Sequence, residues 1–491
     1  MPSRESLGPV RTAHLQQHAG SWRVDAALPE PWIWVTPIMP FHMPSRTLIS
    51  CFALLTCLSL GATPGLAAQA SPPRSAAPSP ARSARATPAR PTSRPPARPS
   101  VNEQRALDSY AAMQRAYYLP SRGLYKGSPY ADAWPYSQAM AATISVASLP
   151  QSGTRYRSDV TARLRGLQDY ADTVDPAPAG YTAEPAPPIG RGDTRFNDDN
   201  EWIATELLRS YQLDHQAAQL AGAEQLMSLI MTQWNPANNP NCPGGVVWHN
   251  TGADGDRNTV SNAPGAALGA QLYMATGRSA YLQFAVQMYD WVRGCLLQAD
   301  GLYADHITPG GNIDPSEWTY NQGSMIGAGA VLSQATHDPL YLRQAQATAR
   351  TAMARFGAPQ LAQQPTWFNA IYIRNLLILG TVSGDPRYQR FVQGYADDAW
   401  SNIRDETSGL FLAGPRGSTE LLDQAAMVQV YALLAQHPAC PTQSSKSHGG
   451  CGSRSATRHR THRASERRVS RAHRASAAKR MRAVASARSG P

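Results

Sequence analysis

Cysteine is scarce in this 491-residue chain, with six in all. None of the spacings between them fits a tetrahedral zinc site, which excludes a zinc module. Cys51 and Cys57 fall in the leader described below. That leaves Cys242, Cys295, Cys440 and Cys451 for two disulfides in an exported protein, with Cys242 and Cys295 a candidate clip between a loop and a helix. No metal or cofactor motif is visible, and neither is expected. Period-two alternation of apolar and polar residues is also rare, which argues against a β-rich domain. The longest apolar run, Leu48 to Leu60, is too short for a permanent membrane anchor.

That run is instead the middle of a secretory signal over residues 43–70, with Arg46 before it and the small-residue region Gly65-Leu66-Ala67-Ala68 after it. Met43-Pro44-Ser45-Arg46 repeats the opening Met1-Pro2-Ser3-Arg4, so residues 1–42 read as an over-long N-terminal extension. Residues 71–100 are Ala, Pro, Ser and Arg without periodicity, a linker composition that cannot bury a core. Residues 439–491 form a basic tail of the same disordered kind. The chain is +11 overall, but tail, linker and leader hold more positive charge than that, leaving residues 101–438 near −8. A basic nucleic-acid surface on the folded part is therefore excluded. The tail alone is suited to anionic cell-wall polymers.

Within residues 101–438 helical periodicity is nearly continuous, and twelve segments alternate in character. Segments at 101–118, 153–171, 216–234, 278–297, 338–355 and 385–402 carry polar residues along one face, and one side of each should be solvated. Those at 131–149, 198–213, 259–276, 317–334, 365–380 and 418–436 are apolar or small all round, as in Gly323-Ser324-Met325-Ile326-Gly327-Ala328-Gly329-Ala330. A helix apolar on every side belongs inside. Six outer helices alternating with six inner ones predict an all-α toroid of six helical hairpins, an (α/α)6 barrel. Short connections such as Thr381 to Pro386 lead from inner to outer helices, and long ones such as Asp172 to Asn197 lead from outer to inner. All long loops then gather at the end where the inner helices begin, and a site belongs at such a rim.

The inner helices open with Ala133-Trp134-Pro135-Tyr136, Asn197-Asp198-Asp199-Asn200, Asn258-Thr259-Val260-Ser261-Asn262, Trp318-Thr319-Tyr320-Asn321-Gln322, Thr366-Trp367-Phe368-Asn369 and Thr419-Glu420-Leu421-Leu422-Asp423-Gln424. Aromatic rings stack on apolar sugar faces and amides bond hydroxyls, so this chemistry suits a glycan. Trp134, Tyr136, Trp318, Tyr320 and Trp367 are the stacking candidates, and Asn262, Asn321, Gln322 and Asn369 the hydroxyl holders. Taken alone, Asp198 and Asp199 at a helix start read as caps that meet free N–H groups and the helix dipole. The rim loops repeat a second theme, Gly123-Leu124-Tyr125, Gly244-Gly245-Val246-Val247-Trp248, Gly301-Leu302-Tyr303 and Gly409-Leu410-Phe411, which reads as short extended pieces lining the rim.

The motifs Asn197-Asp198-Asp199-Asn200-Glu201-Trp202, Gly245-Val246-Val247-Trp248 followed by Asn258-Thr259-Val260-Ser261-Asn262-Ala263, and Trp318-Thr319-Tyr320-Asn321-Gln322-Gly323 together resemble glycoside hydrolase family 76, over essentially all of 101–438. The resemblance implies an (α/α)6 fold and a retaining endo-α-1,6-mannanase, with Asp198 as nucleophile and Asp199 as general acid/base. The resemblance makes α-mannan the expected partner, and the signal segment makes a secreted, extracellular or wall-associated protein the expectation, as a monomer. Transfer of the glycosyl unit to another sugar, and a catalytically silent glycan-binding barrel, are the alternatives.

Overall fold

The computed structural model describes residues 98–437 apart from 175–177, 193, 236–241, 251–254 and 414–416, together with residues 16–18 and 21–23. The signal segment, most of the linker and the basic tail expected from the sequence lie outside the described residues. The chain divides into two units at Ala97/Arg98. In the first, β1 (Gln16–His18) pairs antiparallel with β2 (Ser21–Arg23).

The second unit is helical. Its outer helices are α1 (Val101–Tyr117), α3 (Arg157–Gly166), α5 (Ala217–Thr232), α7 (Ser279–Cys295), α9 (Pro339–Arg355) and α12 (Pro386–Asn402). Its inner helices are α2 (Ala133–Ala147), α4 (Asn197–Asp214), α6 (Ala263–Thr276), α8 (Thr319–Thr336), α11 (Thr366–Ser383) and α13 (Leu421–Gln436). A single turn, α10 (Ala358–Leu361), sits in one rim loop. Among the described residues these account for all twelve expected segments. The outer segment at 153–171 is broken, with 3₁₀ turns at Gly153–Tyr156 and Leu167–Tyr170 flanking α3. The inner segment expected from 259 begins at Ala263, because Thr259 to Asn262 form a tight turn first.

Inner helices contact one another in the order α2, α4, α6, α8, α11, α13 and back to α2, which closes the ring of an (α/α)6 barrel. Each outer helix packs chiefly on the inner helix preceding it, and α1 packs on α13. The spatial hairpins are thus inner-then-outer, and the two ends of the domain meet to complete the toroid. Close approach of inner helices demands small residues. A Cβ at Gly323 would sit 2.5 Å from the Tyr372 backbone of α11.

At the end away from the rim, inner helices stop on left-handed residues, Gly277 (φ 74°), Gly384 (φ 70°), His215 (φ 57°) and His337 (φ 58°). Such a residue ends a helix by reversing the chain. Asp338 and Asp385 then cap α9 and α12, each before a proline in the first turn. The main core fills the space between the two rings. Below the rim, Arg374 of α11 donates to Glu206 of α4 at 2.8 Å, and Arg209 donates to the same carboxylate at 2.6 Å. Helices α4 and α11 stand opposite each other in the ring, so this buried cluster bridges the bore and leaves the rim as the way in.

Candidate functional site

The rim loops are organised by one repeated device. After α1 the chain turns as β3 (Tyr118–Leu119) against β4 (Leu124–Tyr125), and equivalent single bridges join Ala171 to Tyr181, Trp234 to Val246, Leu297 to Tyr303 and Arg404 to Phe411. Each Gly-apolar-aromatic piece thus folds back on the end of the preceding outer helix. Four of these pieces are then clamped by an amide, at the fourth position of the next inner helix in α4, α8 and α13 and at the residue just before α6. Asn262 accepts from Val246 N at 2.8 Å and donates to Val246 O at 3.1 Å. Gln322 does the same for Tyr303 (2.8 and 2.9 Å), Gln424 for Phe411 (2.8 and 3.0 Å) and Asn200 for Tyr181 (2.9 and 2.9 Å). A buried N–H and C=O must be paired, and a side-chain amide satisfies both at once.

This corrects four expected sugar contacts. Asn262 and Gln322 are fully buried with both amide ends bonded to backbone, so they hold loops and not hydroxyls. Asn369 accepts from the Thr319 hydroxyl and donates to Leu361 O, and Tyr136, fully buried, donates to Arg163 O and Gly123 O. Trp367 is partly buried against the main core, 6.3 Å ring to ring from Phe368. Its neighbour Phe368 packs on the bore cluster.

The bore has its own apolar cluster of Trp202, Val260, Tyr320 and Ile371, with Trp134, Trp318 and Phe368 partly buried against it. Trp134 lies 5.8 Å from Trp202, and Trp318 and Tyr320 lie 5.6 and 4.0 Å from Phe368, ring to ring. Trp134, Trp318 and Tyr320 are therefore brought together as expected, although the Tyr320 hydroxyl is already spent on Asp305. Asn321 donates to the same carboxylate at 2.8 Å, while its Oδ1 is buried without a partner.

Asp198 and Asp199 occupy the second and third positions of α4, whose cap residue is Phe196. Neither serves as the cap. Phe196 bridges to His249, and Asn197 donates to Val247 O while its N–H bonds Trp248 O, so the clipped loop before α6 fixes the start of α4. That loop is tied to α7 by the Cys242–Cys295 disulfide expected from the sequence, with Cα atoms 5.9 Å apart. Arg257 of β5 (Arg257–Asn258) braces it further by donating to Cys242 O and Gly244 O.

Both carboxyls are pushed above the ordinary carboxylate range. For Asp198 the main cause is burial, with the Asp305 charge adding to it. The free N–H groups of Asp198 and Asp199 and the Trp248 side chain pull the other way. For Asp199 burial is again first, followed by the charges of Asp198 and Asp132, and nothing offsets them. Asp198 therefore ionises first, and Asp199 keeps the proton. One oxygen of Asp198, Oδ1, is buried without a hydrogen-bond partner.

The sequence reading missed several neighbours. Asp132, which precedes α2, is raised to about 6 by burial and by Glu184. Glu201, one turn below Asp198, is fully buried against Gly265 of α6, where a Cβ would lie 2.5 Å from its Oε1. Asp305 and His306 come two and three residues after the clamped Tyr303, just beyond the repeated rim motif. Among the described residues no group of three His, Cys, Asp or Glu side chains is placed to hold a metal ion.

Asp423 of α13 is a buried acid of a different kind. Its Oδ1 accepts from the Thr366 hydroxyl, its Oδ2 has no partner, and burial first, then Glu420, raises it to about 7. A carboxyl more easily protonated in the folded state makes its full contribution below the unfolded value near 4, and that contribution is lost as pH rises through about 7. Replacing it with Asn keeps the Thr366 bond and removes the titration. We expect Asp423→Asn to be more stable than wild type by roughly 4 kcal/mol at pH 8, the advantage vanishing by about pH 4. Thermal unfolding across that range checks this, and identical pH dependence in the two proteins would refute it.

Known proteins carry the same architecture. The mannosidase of glycoside hydrolase family 76 from Bacteroides thetaiotaomicron superposes with a TM-score of 0.61 at 23% identity, over 68% of this chain and 98% of that one. The α-1,6-mannanase of Salegentibacter sp. gives 0.58 at 21% identity, over 68% and 99%. An inactive variant of that mannanase, with two consecutive aspartates changed to asparagine, is solved in complex with α-1,6-mannotriose. Among curated sequences, mannan endo-1,6-alpha-mannosidases of Candida glabrata and Saccharomyces cerevisiae are 25% and 24% identical over 265 residues, each match covering 48% of this chain. The chain spans only 55% of the length of those relatives. The Glycosyl hydrolase family 76 model, however, matches residues 102–430, from the first outer helix into the last inner one and through every rim loop, and the chain therefore belongs to that family.

Proposed function

We propose that this protein is a secreted, retaining endo-α-1,6-mannanase acting on mannan or a related α-mannoside of microbial envelopes. Asp198 attacks the anomeric carbon, and Asp199 protonates the leaving oxygen and later deprotonates the incoming water. The observation that carries the reading is the Asp198–Asp199 pair itself, two adjacent buried acids in the first turn of α4 at the open end of the bore. A retaining glycosidase needs one carboxylate ionised and one carboxyl protonated at the same pH. Unequal help from the helix N-terminus supplies that difference, because Asp198 meets free N–H groups and Asp199 does not.

Further support comes from the bore aromatics, which offer faces for sugar rings beside the acids. The curated relatives are named for cleaving mannan at 1,6-linkages, and the mannanase variant lacking two adjacent aspartates is called inactive. The test is incubation of the full chain with linear α-1,6-mannan and with branched, α-1,2 and α-1,3-linked controls, following products by NMR. Cleavage of the linear polymer with the α-anomer released first is expected. Products longer than the substrate would assign transfer to sugar in place of hydrolysis, and no turnover from folded protein would reduce the barrel to a glycan-binding module.

A further inference from the structure

The loop between α7 and α8 holds an ion pair that the two-aspartate mechanism leaves without a task. Asp305 stands just before β6 (His306–Ile307), the central strand between β5 and β7 (Ile313–Asp314). Its backbone is fixed on both sides, since Asp305 N donates to Asp314 O at 3.0 Å and Asp305 O accepts from Thr259 N at 2.8 Å. Its side chain is equally occupied. Oδ1 accepts from the Tyr320 hydroxyl at 2.9 Å and from Asn321 Nδ2 at 2.8 Å, and Oδ2 faces His306 Nδ1 at 2.9 Å. Tyr320 and Asn321 are the second and third residues of α8, the same level that Asp198 and Asp199 occupy on α4.

We propose that His306 is a positioning residue which, through its ion pair with Asp305, holds Tyr320 and Asn321 against the bore and balances the negative charge that Asp198 meets. This rests on the reading of Asp198 as nucleophile. The charge of Asp305 reaches both Asp198 and Tyr320, raising each. An Asp305 without its cation would hold the nucleophile protonated to higher pH. The groups facing His306 are all acidic: Asp305 beside it, Asp256 ahead of β5 and Asp314 on β7. Burial lowers its proton affinity, but these three more than offset the loss. His306 is therefore cationic through the acid side of neutrality. Among the described residues, Asp199 and Glu201 on its own helix and Tyr320 from α8 share the field of Asp198, and Asp132 acts on Asp199 beside it. Arg257, the cation on β5, is turned to the carbonyls of Cys242 and Gly244. His306 is the cation in direct contact with Asp305, at 2.9 Å.

The substitution His306→Asn leaves an amide where Nδ1 stood and removes only the cation. Two readouts are taken on the full chain, the pH profile of kcat/KM on linear α-1,6-mannan and the carboxyl titration of Asp198 by ¹³C NMR, assigned with Asp198→Asn. In His306→Asn the acid limb and the Asp198 titration both move up by about 0.5–1 pH unit, a loss of roughly 3- to 10-fold at pH 5 that fades only as pH rises well above the Asp198 value of about 7. Asp305→Asn moves both down, and in that background His306→Asn has no further effect. An unmoved titration, a loss equal at every pH, or additive effects in the double variant would overturn the proposal. If wild type cleaves no mannan, the proposed function fails, and the NMR titration still decides the ion pair.

Discussion

Asp198→Asn and Asp199→Asn each reduce mannan turnover at least about 10²-fold while the toroid stays folded. Loss of a positioned proton donor alone costs 10²- to 10⁴-fold, and loss of the nucleophile removes the covalent route altogether. The two are separable. With an aryl mannoside whose leaving group needs no proton, Asp199→Ala recovers its first step and accumulates a glycosyl-enzyme, and Asp198→Ala recovers nothing. The pH profile follows from the same shifts. Activity needs Asp198 ionised and Asp199 protonated, and both carboxyls titrate above the ordinary range, so both limbs lie higher than for free carboxylates. Folding runs the other way. An acid with a raised folded pKa contributes most at low pH and loses that contribution as pH rises through it, so at pH 8 the Asn variants melt no lower than wild type. A variant at either position that keeps more than a tenth of wild-type turnover ends the assignment.

Asn262→Leu is expected to cost about 2–6 kcal/mol of stability, because the buried N–H and C=O of Val246 lose their partners together at roughly 1–3 kcal/mol each. The melting temperature falls by several degrees. Activity falls as well, since the released loop carries Trp248 against Asp198 and supplies the carbonyls that fix Asn197. A hydroxyl-binding Asn would behave differently. Its loss would weaken affinity for mannotriose and leave the melting temperature alone. Calorimetric melting beside titration with mannotriose distinguishes the two, and unchanged stability with weaker binding would return Asn262 to the sugar.

The helices and their roles were legible because all-round apolar stretches such as Gly323 to Ala330 have no stable place except inside another layer. The aspartate pair was legible as a motif at a helix start. The amides were misread for a physical reason. Asn262, Gln322 and Asn369 recur in phase at the rim, and phase alone does not tell whether an amide faces sugar or the backbone of the preceding loop. Asp305 and His306 carried no periodic signal, since β6 is only two residues long and its pairing with β5 depends on chain about fifty residues away.

The sequence by itself determined the alternation of outer and inner helices, the end at which the long loops gather, and the acids that begin α4, because these follow from period, composition and order along one chain. Only the tertiary structure decided which rim groups are spent and which are free. That depends on neighbours brought from distant segments: Val246 beneath Asn262, Tyr303 beneath Gln322, and Asp305 between α8 and Asp198. Burial in such company also separates Asp198 from Asp199, two identical side chains one residue apart, through the free N–H groups that only one of them meets.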